Sequence, residues 1–322
     1  RGRYGGESMS RFLLRLIAFL ALTLLLTSLI VFAITQLLPG DVARIILGRE
    51  AGENALAQLR ERLGLNDPAV VQYGRWLWNY VRGDWGDSFS TRMPIREVVL
   101  QRLRNSLMLA ALIVIMAVPL AVIAGVVAGL NRDRPVDHLI SIASLSVVGL
   151  PEFVTGLVLI EILAFRLHLL PANSSIPVEA GFFEALPMLI LPAITATLVL
   201  FAYIARLTRA GVIEELKKPY VRTAVLKGLS WSRVTFGHVL RNALLPTITV
   251  IAISFGWLIS GLIVVENVFN YPGLGRLLVF AIDRRDLPLL QAVTMVTVLG
   301  YALSNLGADL LYAALNPRIR LR

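Results

Sequence analysis

Residues equipped for chemistry are few and scattered in this chain. Its three histidines, His138, His168 and His238, stand far apart, and there is no cysteine, which excludes thiolate nucleophiles, thiolate metal sites and disulfides. No H-E-x-x-H, G-x-S-x-G or G-x-x-x-x-G-K-[ST] pattern occurs, so the usual zinc-hydrolase, serine-hydrolase and ATP-phosphate-cradle readings fall away. What remains is a set of carboxylates in or beside apolar runs: Glu152, Glu161, Glu266 and Asp309. An ionisable group at membrane depth costs at least about 2.5–3.5 kcal/mol on insertion scales, so it faces protein or water. Glu152 directly follows Pro151, where a broken helix lines a pathway or packs internally; both readings stand. Glu161 and Glu266 fall near helix ends, where water contact suits a structural or interfacial role. An ion pair with an inward-side arginine accounts for Asp309. Such groups supply ion pairing and solute contact, not bond-making.

The elements that must hold these groups are apolar. Of 322 residues, 57% are hydrophobic and only 16% charged, against roughly 25% charged in soluble globular chains; mean hydropathy is +0.73. That balance excludes disorder and an ordinary soluble enzyme, and points to a chain whose apolar surface meets lipid. A spanning helix needs about 20 apolar residues. The runs 16–38, 106–130, 187–205, 243–265 and 287–308 qualify, as does 139–163, interrupted by Glu152 and Glu161. Six spanning helices follow. The first exceeds a signal peptide's usual apolar length and lacks a small-residue cleavage site, so it reads as retained. Small residues in the second span, Ala121, Gly125, Ala128 and Gly129, suit close helix packing. Residues 1–8, before Met9, read as a tag or upstream remnant.

Orientation follows from Lys and Arg. With six spans both termini share a side. The segments on that side carry about 17 of the 31 Lys and Arg against roughly 5 acids, so the termini are predicted inside. Eight of those 17 lie in the single loop 206–241.

Two loops exceed mere connectors. The outer one, residues 39–105, is predicted to hold a short helix at 55–63 and a second amphipathic helix through Val81. Asp67 would cap that helix, Pro68 would open it, and Val71, Trp76, Leu77 and Tyr80 would share a face. Trp76, Trp78, Tyr80 and Trp85 suit a membrane interface. A surface scaffold and a dock for an external partner are the competing readings. In the inner loop, Pro219 opens a helix over Tyr220–Lys227, Gly228 terminates it in a left-handed cap, and Ser230 caps a second helix over Trp231–Asn242. Three readings compete here: a basic interfacial segment attracting anionic lipid, a DNA-reading helix-turn-helix, and a rigid element docking into a cytoplasmic partner. Spans on both sides make groove access awkward, so no nucleic-acid partner is expected.

The inner loop also carries a resemblance. Tyr220-Val221-Arg222-Thr223-Ala224, Lys227-Gly228-Leu229-Ser230 and His238-Val239-Leu240-Arg241-Asn242-Ala243-Leu244-Leu245-Pro246 closely resemble the EAA loop of bacterial ABC-importer permeases, in the dipeptide/oligopeptide/nickel branch. Arg222-Thr223 replace the general Glu-Ala, as that branch itself does. The likeness extends along the chain through Leu38-Pro39-Gly40-Asp41, Leu63-Gly64-Leu65-Asn66-Asp67-Pro68, Arg104-Asn105-Ser106-Leu107, Val265-Glu266-Asn267-Val268-Phe269, Pro272-Gly273-Leu274-Gly275 and Asn316-Pro317-Arg318-Ile319-Arg320. Pro151-Glu152-Phe153-Val154 departs from the family's usual Pro-Ser-Phe-Trp.

The resemblance implies an all-α membrane protein of type I ABC importer permease architecture, with six transmembrane helices and cytoplasmic N- and C-termini. Its parts would be an N-terminal segment and first helix (9–38), an external amphipathic segment (39–105), a five-helix core (106–315) with the coupling loop at 206–241, and a cytoplasmic tail (316–322). The chain would be a non-catalytic subunit with no cofactor of its own, forming half of a pathway for peptides or a similar small solute. A second permease subunit, related but different, would complete the pathway. Two cytoplasmic ATPase subunits would carry ATP and Mg, an external binding protein would deliver solute, and lipid would surround the spans. Tyr220, Arg222, Thr223, Ala224, Lys227 and Gly228 would meet the ATPase, and Glu152 is the pathway candidate. The alternatives are a stand-alone secondary transporter or channel, for which internal repeats are missing, and a non-transporting scaffold.

Overall fold

The computed structural model describes residues 9–37, 42–47, 51–62, 64–177 and 181–315. The first eight residues, the Leu38–Asp41 motif and the tail at 316–322 lie outside them. In order, the helices are α1 (Met9–Leu37), α2 (Val42–Leu47), α3 (Glu53–Arg62), α4 (Ala69–Arg82), α5 (Ile95–Leu130), α6 (Pro135–Val148), α7 (Glu152–Leu159), α8 (Phe182–Leu216), α9 (Pro219–Leu226), α10 (Trp231–Val234), α11 (Leu240–Ala243), α12 (Leu245–Gly261), α13 (Ile263–Val268), α14 (Leu274–Asp283) and α15 (Leu287–Leu315). Wider π-helical turns continue α7 over Ile160–Arg166 and join α10 to α11 over Thr235–Val239.

Four helices, within α1, α5, α8 and α15, are long and apolar enough to cross a membrane unbroken. Two bent pairs bring the crossings to six: α6 with α7, bent by 104°, and the α10–α11 rod with α12, bent by 44°. The third run is therefore not one straight helix. Pro151 disfavours helical geometry in the residue before it, and the chain turns there before α7 begins.

The core is the packing of α5 on α8, joined by α12 and α7. A methyl group on Gly125 would come within 2.6 Å of the Ala205 carbonyl oxygen, and one on Gly129 within 2.7 Å of Val212. The small residues of the second span are thus packing residues, since only glycine lets these backbones approach so closely.

At the outer end, α5 is tied to the segment joining α13 and α14 by a buried polar knot. Ser106 Oγ donates to Glu266 Oε1 at 2.6 Å and accepts from the Leu274 backbone N–H at 2.8 Å. The second Glu266 oxygen accepts the Arg276 N–H at 3.1 Å. Asn105 Nδ2 donates to the Pro272 carbonyl at 2.8 Å, and Tyr271 Oη to the Asn105 carbonyl at 2.7 Å. Gly273 is required, because a Cβ there would fall 2.0 Å from the Glu266 carboxylate. Glu266, expected in contact with water, is only 1% exposed. The glycine-bearing turn folds over it and replaces solvent with backbone N–H groups, which satisfy the carboxylate at the start of α14.

The external segment leans on α1 and α15. Pro68 itself is the N-cap residue of α4, one position later than expected, and the Asp67 carboxylate pairs with Arg75 at 2.7 Å. Gly83 ends the helix at φ 82°. The aromatic rings form a row running from Phe32 of α1 through Tyr73, Trp76 and Tyr80 to Trp85, with successive centroids 5.1–6.1 Å apart. Of the four aromatics expected at a lipid interface, only Trp78 is exposed. Val71 turns outward and Tyr73 takes its place on the packed face, because edge and offset ring contacts with Phe32 reward an aromatic there. Asp286, fully buried, accepts from Ser88 Oγ at 2.6 Å and from the Ser90 N–H at 2.9 Å, and so fastens the end of this segment to the start of α15.

Candidate functional site

The inner loop folds as its punctuation dictates. Helix α8 runs past the apolar stretch to Leu216, and Pro219 then opens α9 at its first position, where a missing N–H costs nothing. Gly228 follows at φ 77° with open space around it, and Ser230, in extended conformation, precedes α10. Val221 of α9 packs with Val212 of α8 and with Val234, Val239 and Ala243 of the second rod to form a small apolar core. This core makes the loop one rigid unit on the end of α8.

A polar strut backs it. Glu215, buried at the end of α8, accepts from Tyr220 Oη at 2.6 Å and pairs with Lys218. Asn242 Nδ2 reaches the same Tyr220 oxygen at 3.4 Å. Burial raises the Tyr220 hydroxyl pKa above its ordinary value, and the bond to Glu215 acts in the same direction. Lys218 is raised chiefly by its hydrogen bond to Glu215.

The six residues singled out in the loop divide accordingly. Arg222, Thr223, Lys227 and Gly228 are exposed on the outer side of α9 and its turn. Ala224 is half-buried against the loop core, and Tyr220 faces inward as the strut. Apolar residues that were not singled out lie on the exposed side: Leu226 is 78% exposed and Phe236 71%, with Val225 and Trp231 also exposed. Large apolar side chains in an otherwise basic loop were the available signal, since exposed patches of this kind mark interaction surfaces.

A second clamp ties this end of α8 to the third span. Asp137, fully buried in the first turn of α6, holds the Arg209 guanidinium through both carboxylate oxygens, with Nη2 to Oδ2 at 2.7 Å. Asp137 also accepts the Asp133 N–H at 2.9 Å. Such a forked pair fixes orientation as well as distance.

Glu152 is the first residue of α7, at the break in the third span. Its Oε1 is buried and has no hydrogen-bond partner among the described residues. The same is true of the Thr155 hydroxyl one turn along α7 and of the Thr197 hydroxyl on α8, which packs against α7. The described residues hold no group of three or more His, Cys, Asp or Glu able to bind a metal. Helix α7 packs chiefly on α8 and α13, and Glu152 is not among the residues of the inner loop's small core.

A bundle of four unbroken and two bent membrane crossings, with a basic helical pair at the inner end of α8, defines a multi-pass membrane protein. The family described as binding-protein-dependent transport system inner membrane component matches residues 117–321, and its N-terminal counterpart matches residues 9–110. The chain is 38% identical over 312 residues to the glutathione transport system permease protein GsiC of Salmonella paratyphi A, covering 97% of this chain and 99% of that one. It is 38% identical over 314 residues to the probable peptide ABC transporter permease protein y4tP of Sinorhizobium fredii, covering 97% and 100%. GsiC of Escherichia coli K12 matches at 38% over 298 residues, covering 92% and 95%. The chain belongs to the family of binding-protein-dependent transport system inner membrane components. It is a non-catalytic, multi-pass permease subunit of an ABC importer in the inner membrane, working with an ATPase and a solute-binding protein.

Proposed function

We propose that this chain forms half of the translocation pathway of an ATP-driven importer for peptides or a similar small solute. The solute class is supported by the names of its relatives, one a glutathione permease and one a probable peptide permease. A related second permease completes the pathway, and two ATPase subunits grip the inner loops. The observation that carries the coupling role is the exposed outer side of α9 and its turn: Arg222, Thr223, Lys227 and Gly228, flanked by the bare apolar side chains of Leu226 and Phe236. A groove on the ATPase that buries those side chains gains about 1.5–3 kcal/mol for each one fully covered. Closure of the ATPase pair then moves α8 through the rigid loop, a two-state rearrangement biased from both ends.

Glu152 faces the pathway in this reading, and a passing solute's polar group satisfies its vacant oxygen. The test is uptake of labelled peptide into proteoliposomes by the assembled complex. ATP-dependent accumulation that requires the binding protein is expected. Uptake by this chain alone without ATP would overturn the reading in favour of a secondary transporter. Glu152→Gln is expected to change uptake of cationic peptides more than that of neutral ones; identical kinetics across both sets would reduce Glu152 to packing.

A further inference from the structure

Two guanidinium groups at the outer end of the bundle border the Ser106–Glu266 knot, and one of them, Arg102, has a donor without a partner among the described residues. Arg102 lies one helical turn outward of Ser106 on α5, so the two side chains share a face. Its Nε is buried and has no hydrogen-bond partner among the described residues. Arg276, at the start of α14, is held by its own backbone N–H on Glu266 and by Nη1 donating to the Asn270 carbonyl at 3.0 Å. Electrostatic interactions reach Arg102 from both Arg276 and Glu266, one repelling and one attracting.

Glu266 does not fill the Arg102 donor. Its Oε1 is taken by Ser106 at 2.6 Å and its Oε2 by the Arg276 N–H at 3.1 Å. Two cations border a single carboxylate, and no hydrogen bond among the described residues joins either guanidinium to it. Both arginines are half-buried, so each retains an open side. Arg102 Nε is closed to solvent, so an incoming anion meets the other nitrogens of the half-buried head, whose planar fork matches a carboxylate in two parallel hydrogen bonds.

We propose that Arg102, with Arg276, forms a carboxylate-recognition site at the outer mouth of the permease, which takes the free C-terminal carboxylate of a peptide as it leaves the delivering protein. The ligand class rests on the peptide reading above. The site differs from Glu152 in place and in sign. An outer site for the negative end and a deeper carboxylate for the positive end together orient a zwitterion during entry.

The experiment compares a labelled tripeptide with its C-terminal amide, each presented by excess loaded binding protein to the full complex in proteoliposomes. Uptake is measured for wild type, Arg102→Gln and Arg102→Lys. Arg102→Gln is expected to lower uptake of the free acid about tenfold or more and to affect the amide far less, so that the acid-to-amide preference collapses. Arg102→Lys keeps the charge but loses the fork, and is expected to retain part of that preference. Equal losses for acid and amide in both variants would overturn the site and leave Arg102 a structural residue. Absence of uptake of either peptide by wild type would overturn the peptide reading itself, and the proposed ligand with it.

Discussion

Ser106 and Glu266 stand 160 residues apart and share a buried hydrogen bond of 2.6 Å. Ser106 also accepts the Leu274 N–H, so one hydroxyl joins the second span to both sides of the turn after the fifth. Ser106→Ala strands an oxygen of Glu266 and the amide of Leu274 in a dry site. A loss of about 1–3 kcal/mol is expected for the unsatisfied groups, read as a lowered thermal midpoint of the purified complex in detergent. A variant as stable as wild type would show the knot to be energetically idle.

The turn after α9 should tolerate alanine and refuse proline. Gly228 has φ 77°, and a Cβ added there would meet nothing within 4 Å, so Gly228→Ala costs only the left-handed conformation, about 1 kcal/mol. Proline demands φ near −65° and breaks the turn. Gly228→Pro is expected to separate ATP hydrolysis from uptake while membrane insertion persists, and Leu226→Asp to prevent ATPase recovery on affinity purification. Normal uptake by both variants would remove α9 from the coupling role.

The strut behind α9 should be indifferent to pH across the physiological range. Tyr220 and Lys218 both have raised pKa values in the folded loop, from ordinary values of 10.0 and 10.5. A raised value means that the stabilisation is complete below the ordinary pKa and is lost as pH climbs through the folded one. Hydrogen exchange in residues 214–242, corrected for intrinsic rate, is therefore expected to be level from pH 6 to 9 and to loosen only in stronger alkali. Tyr220→Phe should loosen it at every pH. A transition near neutrality would contradict this arrangement.

Asp137 and Arg209 tie the third span to α8 just before the inner loop. Asp137→Asn keeps the shape but gives up one charged hydrogen bond, at a cost of about 1.5–3 kcal/mol. Fewer solute molecules moved per ATP is the expected result, with the complex still assembled. An unchanged ratio would leave the pair a purely local fastening.

Five crossings were legible as uninterrupted apolar runs and the third despite Glu152 and Glu161, and the inner loop because Pro219, Gly228 and Ser230 act through local backbone rules. The break at Pro151 was visible as a residue type, but its 104° angle was set by packing of α7 on α8 and α13. Asn105, Ser106, Glu266 and Gly273 all sat in stretches that resembled a family, yet their joint purpose could not be read locally, because their contacts cross some 160 residues of chain. Periodicity likewise could not say that Tyr220 turns inward while Leu226 turns out. That choice is made by Glu215, which lies on a different helix.

Helices α5 and α8 run 36 and 35 residues, about 54 and 53 Å at the usual rise of 1.5 Å, well beyond the roughly 30 Å apolar thickness of a bilayer. They touch so closely at Gly125 and Gly129 that a methyl group does not fit. Pro119 within α5 and Pro187 and Pro192 within α8 each forgo a backbone hydrogen bond, so what stiffness the pair has comes from this packing. One end of the pair carries the inner loop and the other carries Arg102 and the Ser106 knot. In the proposed coupling, the packed length of this pair carries a push from the ATPase side to the solute side, in place of a relay of small adjustments from residue to residue.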